Sequence, residues 1–163
     1  MILITHAVVG AVLSGAINNP AGSFLAGVVS HYVLDAIPHY DYVDQRFVDD
    51  RFSKRSKLIF KFIILDGIFG VLLPVYFFQW NGLYGFLNIF LAIAGAMLPD
   101  ALQGVQLYFP NKLTLFLNKI HKQVHYLFSE RLLLQEFPFF GLSLQVLVIM
   151  LAMLVIPAYV GIK

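Results

Sequence analysis

Apolar runs recur from Met1 to Ile17, Ala21 to Ile37, Leu58 to Phe78, Leu83 to Leu98 and Gly141 to Val160. Each is roughly the length of a membrane-crossing helix, about 20 residues, although the first two sit near the lower limit. The pattern predicts an all-α, polytopic membrane helical bundle with about five transmembrane helices. Composition agrees: 60% of the residues are hydrophobic and 12% are charged, far from the balance of an ordinary soluble domain. The short first pair predicts a hairpin that sits recessed or locally thins the bilayer. With no leading cluster of Lys or Arg, the first run does not read as a signal peptide.

Charge placement sets an orientation. Arg46, Arg51, Lys54, Arg55 and Lys57 lie between the second and third runs, and Lys112, Lys119, Lys122 and Arg131 between the fourth and fifth. The opposite connections, "NNPAGS" and "QWNG", carry no Lys or Arg. The positive-inside rule then predicts cytoplasmic charged loops, a cytoplasmic N-terminus and an outer C-terminus. Tyr76, Trp80 and Tyr84 gather at the far turn, as an outer aromatic belt should. Asn18-Asn19-Pro20 is a turn signal, and Gly10, Ser14, Gly15, Gly22, Gly27 and Ser30 predict close backbone approach in the first hairpin.

From about 110 to 137 the chain is amphipathic, with Leu113, Leu117, Ile120, Val124, Leu127 and Phe128 near helical spacing. This predicts one further helix along the cytoplasmic face. No long repeat or low-complexity tract divides the chain, so residues 1–163 read as a single membrane domain. The chain contains no cysteine and has a net charge of +2. Thiolate sites are thereby excluded, and no basic stripe interleaved with aromatics points to nucleic acid.

Against this apolar background the ionisable residues are conspicuous. The five histidines are His6, His31, His39, His121 and His125. His31 and Asp35 are four apart on a helix and share a face, as do His121 and His125 in "HKQVH". Pro38 should end the second helix, leaving His39 and Asp41 on an irregular segment able to fold back over it. His6, Asp66 and Asp100 stand inside apolar spans, where ionisable groups are costly and face a protein interior. At about 1.5 Å per residue, Asp66 lies roughly 13 Å inward from Lys57, and Asp100 roughly 24 Å from Tyr84. All nine residues are expected in the inner half of the membrane.

Each of these signals has a plainer reading. "HKQVH" alone would more often be a solvated interfacial face. Asp66 could pair with Lys61, Asp100 could begin a new helical turn after Pro99, and His6 could bond to a backbone carbonyl. None of these explains why every histidine should lie at one depth. Shared positive charge does, most simply a divalent metal. The expected ligands or their supporting groups are His6, His31, Asp35, His39, Asp41, Asp66, Asp100, His121 and His125. Nine candidates exceed one tetrahedral site, so one or two ions are allowed, Zn first with Mn or Fe as alternatives. Asp41 and Asp100 are the candidates for taking a proton from water.

With "THAVVG" at the start, the acidic segment after the second helix, "LPD" at Asp100 and a late histidine pair, the chain resembles the bacterial and archaeal YdjM-like family of membrane-bound metal-dependent hydrolases. That family shows a Pro-Asp-x-Asp-His-like segment and a His-Arg-Gly-x-x-His-like pair. Here the corresponding segments read "IPHYD" and "HKQVH", with different ligand order and spacing. The resemblance implies metal-assisted hydrolysis at a prokaryotic cytoplasmic membrane. The resulting expectation is a membrane-embedded hydrolase acting on an amphiphilic phosphoester or ester at the cytoplasmic leaflet, with membrane lipids as its surroundings. The rival is a metal-ion or proton-coupled transporter or channel, which needs polar groups through both halves of the membrane.

Overall fold

The computed structural model describes residues 1–37, 39–41, 43, 45–77, 82–125, 127 and 138–160; for residues 45, 46, 82–84, 125, 138 and 155–160 it describes the backbone alone. Every regular element among them is helical: α1 (Leu3–Ser14), α2 (Pro20–Asp35), α3 (Gln45–Asp49), α4 (Lys54–Phe77), α5 (Gly82–Tyr108), α6 (Lys112–His125) and α7 (Pro138–Val160). Two of them, Lys54–Phe77 and Gly85–Tyr108, are long and apolar enough to cross a membrane. The first pair is shorter than its apolar runs, at 12 and 16 residues. Twelve residues make a helix of about 18 Å, well under the roughly 30 Å of a hydrocarbon core.

Local chemistry sets the boundaries. Asn19 caps α2, its Oδ1 accepting the Gly22 N–H at 2.6 Å, and Pro20 opens the helix where a missing N–H is harmless. Asn111 and Thr114 bond reciprocally at the start of α6: the Thr114 N–H donates to Asn111 Oδ1 at 3.0 Å and the Asn111 N–H to Thr114 Oγ1 at 3.1 Å. The fourth apolar run was expected to end at Leu98, yet α5 continues through Pro99 to Tyr108. Pro99 forfeits one backbone bond, to the Gly95 carbonyl, and the turns on either side carry the helix across the gap.

Helices α1, α2 and α5 form the centre, with α4 and α7 against α1 and with α6 against α5 and α2. Contact depends on small residues, as close helix packing requires. A Cβ at Gly10 would lie 2.9 Å from both the Ala92 oxygen and the Ala96 Cβ, and one at Gly27 would collide with the same Ala92 oxygen. Gly95 meets the Phe24 carbonyl in the same way. The glycines expected to draw α1 and α2 together therefore do something different: Gly10 and Gly27 seat both helices on α5. Ala7, Ala11, Ile89 and Ile93 fill the apolar centre.

Helix α4 is covered least. Leu58, Phe62, Phe69 and Leu72 are each more than half exposed. Tyr76 is also exposed, while Trp80 and the Tyr84 side chain, the other members of the expected aromatic belt, lie outside the described residues. Helix α6 turns Thr114 and His121 inward and leaves Leu113 and Phe116 outside beside Lys112, Lys119 and Lys122. The amphipathic segment predicted over about 110–137 is thus helical over Lys112–His125, and residues 128–137 lie outside the described set.

Candidate metal centre

Four elements bring five ionisable side chains to one buried point. His6 comes from the second turn of α1, His31 and Asp35 from the last turns of α2, Asp100 from α5 just after Pro99, and His121 from α6. One ligand atom from each of His31, Asp35, Asp100 and His121 lies within 4.8 Å of each of the others. His31 Nε2 is 3.0 Å from Asp35 Oδ2 and 3.7 Å from Asp100 Oδ1. His121 Nε2 is 3.5 Å and 3.7 Å from the same two oxygens. Bonds of about 2.0–2.1 Å to a tetrahedral zinc put neighbouring ligands about 3.3 Å apart. The set is close to that size.

Protonation of His31 follows from its partners. Its Nδ1 lies 2.8 Å from the Ala96 carbonyl oxygen, which can only accept, so Nδ1 carries the hydrogen. In the neutral ring Nε2 is then a bare lone pair, and it faces two carboxylates. Nε2 of His31 and Oδ2 of Asp35 lie close but outside hydrogen-bonding geometry, and neither has another hydrogen-bond partner. A buried lone pair aimed at buried anions is unfavourable unless a proton on Nε2 or a metal cation lies between them. A backbone carbonyl fixing Nδ1–H while Nε2 faces inward is the usual support for a metal-binding imidazole.

Electrostatics give the same answer. Two carboxylates within 4.8 Å repel by about 3 kcal/mol at an effective dielectric near 20. Asp35 is sealed, with its side chain 1% exposed, whereas Asp100 is 21% exposed. Some positive charge must hold the pair together. The Met1 ammonium supplies part of it, 2.9 Å from Asp35 Oδ1 and 2.6 Å from His39 Nε2. His6 stacks on His31 with ring centroids 4.1 Å apart, and its Nε2 lies 3.2 Å from Asp35 Oδ1. Neither ring nitrogen of His6 has a hydrogen-bond partner.

The remaining expected residues separate. His39 borders the cluster: its Nδ1 bonds the Ile37 carbonyl at 2.6 Å and its Nε2 is 3.7 Å from Asp35 Oδ1. Asp41 accepts the Val43 N–H at 3.2 Å and lines a cavity together with Asp100. Asp66 has partners of its own at the start of α1. Its carboxylate accepts the N–H groups of Leu3 and Ile4, at 2.6 and 3.2 Å, and caps the start of α1. Those orphan donors and the positive end of the helix give the carboxylate a structural role at the start of α1. The His125 side chain lies outside the described residues.

Gln145 of α7 escaped the sequence reading. It is fully buried; its Oε1 accepts the Ile2 N–H at 2.8 Å and its amide donates to the Tyr40 and Gly141 carbonyls at 2.9 and 3.2 Å. It therefore ties the residues just before α1 to the segment carrying His39 and Asp41. The signal was present, an amide inside the apolar run "GLSLQVLV", where an uncharged polar group also needs a partner.

The cavity beside Asp100 has a volume of about 360 Å³. Phe47, Phe60, Ile63, Met97 and Leu107 give it apolar walls; Asp41, Asp66, Asp100, Asn118 and Lys122 are among its polar ones. The candidate ligand set thus meets open space at Asp100, its one partly exposed member. Comparison of the chain with protein-family models, with curated proteins and with solved structures gives no match.

Proposed function

We propose that this chain is a membrane-embedded, metal-dependent hydrolase of amphiphilic phosphoesters or esters, working at the cytoplasmic leaflet. The observation that carries the reading is the buried grouping of His31, Asp35, Asp100 and His121, whose ligand atoms all lie within 4.8 Å of one another with Nε2 of His31 facing both carboxylates. His31, Asp35, Asp100 and His121 would hold the ion, Zn first with Mn or Fe as alternatives, and His6 stands close enough to join or support them. A divalent ion there supplies polarisation of the scissile oxygen and acidifies a water molecule. Asp100 joins the centre to the cavity, and Asp41 on the same wall is the group to accept the proton from water. Apolar walls keep bulk water out and receive the hydrophobic part of the substrate.

Membrane embedding is supported by the two long apolar helices and by the exposed apolar side chains of α4. We place α1, α2 and α7 in the bilayer as well, making five membrane helices with the charged loops and N-terminus in the cytoplasm of a prokaryotic cell. The resemblance to the YdjM-like family adds to the same reading. A transporter is less well supported, because the polar side chains at the other end of the bundle are uncharged and two of them bond to the backbone. Asn88 donates to the Ile17 carbonyl at 3.1 Å, and Asn19 caps α2.

The experiment is turnover of lipid phosphoesters and esters by the protein in liposomes. Asp41→Asn should retain the metal and lower kcat by about 10²-fold or more, the range of a lost general base. Metal flux across the liposome without turnover of any ester would replace the hydrolase with the transporter.

A further inference from the structure

The cavity wall is specific enough to name the kind of molecule it takes. We propose that it binds a single-chain amphiphile bearing a phosphate head, with the head between Asp100 and Lys122 and the chain along Phe60, Ile63 and Met97. The choice of phosphate rests on the metal reading above; the chain site does not.

Size comes first. About 360 Å³ is at the small end of ligand pockets and has room for roughly a dozen water-sized groups at about 30 Å³ each. That suits one head and the first part of one chain. Next comes access. Phe60 lines the cavity and is also 43% exposed on the apolar outside of α4. Helix α4 packs mainly on α1 and only lightly on α5, so the side of the cavity between α4 and α5 is thinly closed. A chain can therefore extend from the cavity into lipid.

Charge selects the head. Among the described lining residues Lys122 is the only Lys or Arg, and no carboxylate pairs with it. Asp41, Asp66 and Asp100 alone would repel an anion, so a phosphate is admitted when a cation is held by the Asp100 cluster and Lys122 closes on it from the other side. A neutral carboxylic ester leaves Lys122 unused.

Gly104 provides a clean test. It lines the cavity, and a Cβ added there meets no atom within 4 Å. A large side chain at this position therefore starts in open space at the cavity lining. The full chain in neutral-lipid nanodiscs is titrated with oleoyl lysophosphatidate, with monoolein as the same chain lacking phosphate, and with inorganic phosphate. The wild type should bind lysophosphatidate at least tenfold more tightly than either control. Gly104→Phe should weaken both amphiphiles tenfold or more with metal content and Tm unchanged, and Gly104→Ala should bind like wild type. Lys122→Gln should weaken lysophosphatidate tenfold and spare monoolein.

If Gly104→Phe and Ile63→Trp both bind like wild type, the cavity is not the chain site and the proposal fails. Equal affinity for monoolein and lysophosphatidate overturns the phosphate assignment, and equal affinity for inorganic phosphate overturns the chain. Should the wild type hold no metal while Gly104→Phe still abolishes monoolein binding, the hydrolase reading and the phosphate assignment fall and the chain site stands. Metal retained with no effect at Gly104 does the reverse.

Discussion

His31 shows how one side chain can carry chemical information that its sequence position lacks. The Ala96 carbonyl fixes the proton on Nδ1, and the geometry then leaves Nε2 facing Asp35 and Asp100 as a candidate ligand. Asp66 shows the opposite. Both were read from the same signal, an ionisable group in an apolar run, and only the fold tells a ligand from a helix cap. Asp66→Ala should cost about 2–3 kcal/mol, the scale for backbone bonds to a charged acceptor, read as a lower Tm with metal content unchanged. Loss of metal at unchanged Tm would return Asp66 to the ligand set. Histidines and aspartates were legible because hydrocarbon rejects charge so strongly. Gln145 was harder to read because an amide is less costly there and its partners, Ile2 and Tyr40, are remote in sequence.

Among the elements, the apolar runs anticipated α4 well, placing Leu58–Phe78 where the helix covers Lys54–Phe77. They missed the continuation of α5, because a proline marks a boundary only where local bonds decide, and here the packing of α5 against α1 and α2 outweighs one lost bond. Small residues were recognised as contact points, but their partner was not legible: spacing along α1 and α2 says that something approaches closely, and the something is α5. The glycines should therefore differ sharply under the same change. Gly27→Ala meets the Ala92 carbonyl and should destabilise by about 1–3 kcal/mol through overpacking. Gly104→Ala meets nothing and should stabilise α5 by about 0.5–1 kcal/mol. Thermal unfolding in detergent checks both, and equal Tm values would contradict the packing described here.

For the whole molecule, the sequence offered a polarity: basic connections on one side, uncharged turns on the other. The same polarity puts the His/Asp cluster at the end of the bundle nearest the basic connections, where α2 ends, α1 begins and α6 crosses. Because the chain has no cysteine, single substitutions can report it. In cells, Asn18→Cys should react with an impermeant maleimide from outside and Lys57→Cys only after permeabilisation; the reverse pattern would invert the proposed orientation. Convergence of the cluster was legible in outline, as depth along separate helices, but not its membership, since depth alone does not say which faces meet. The central claim is that His31, Asp35, Asp100 and His121 hold a divalent ion. Elemental analysis of the purified protein tests it most directly: at least one Zn, Mn or Fe per chain is expected, with more than tenfold loss in both His31→Ala and Asp35→Ala. A wild-type protein without stoichiometric metal, or full retention in both variants, would contradict it.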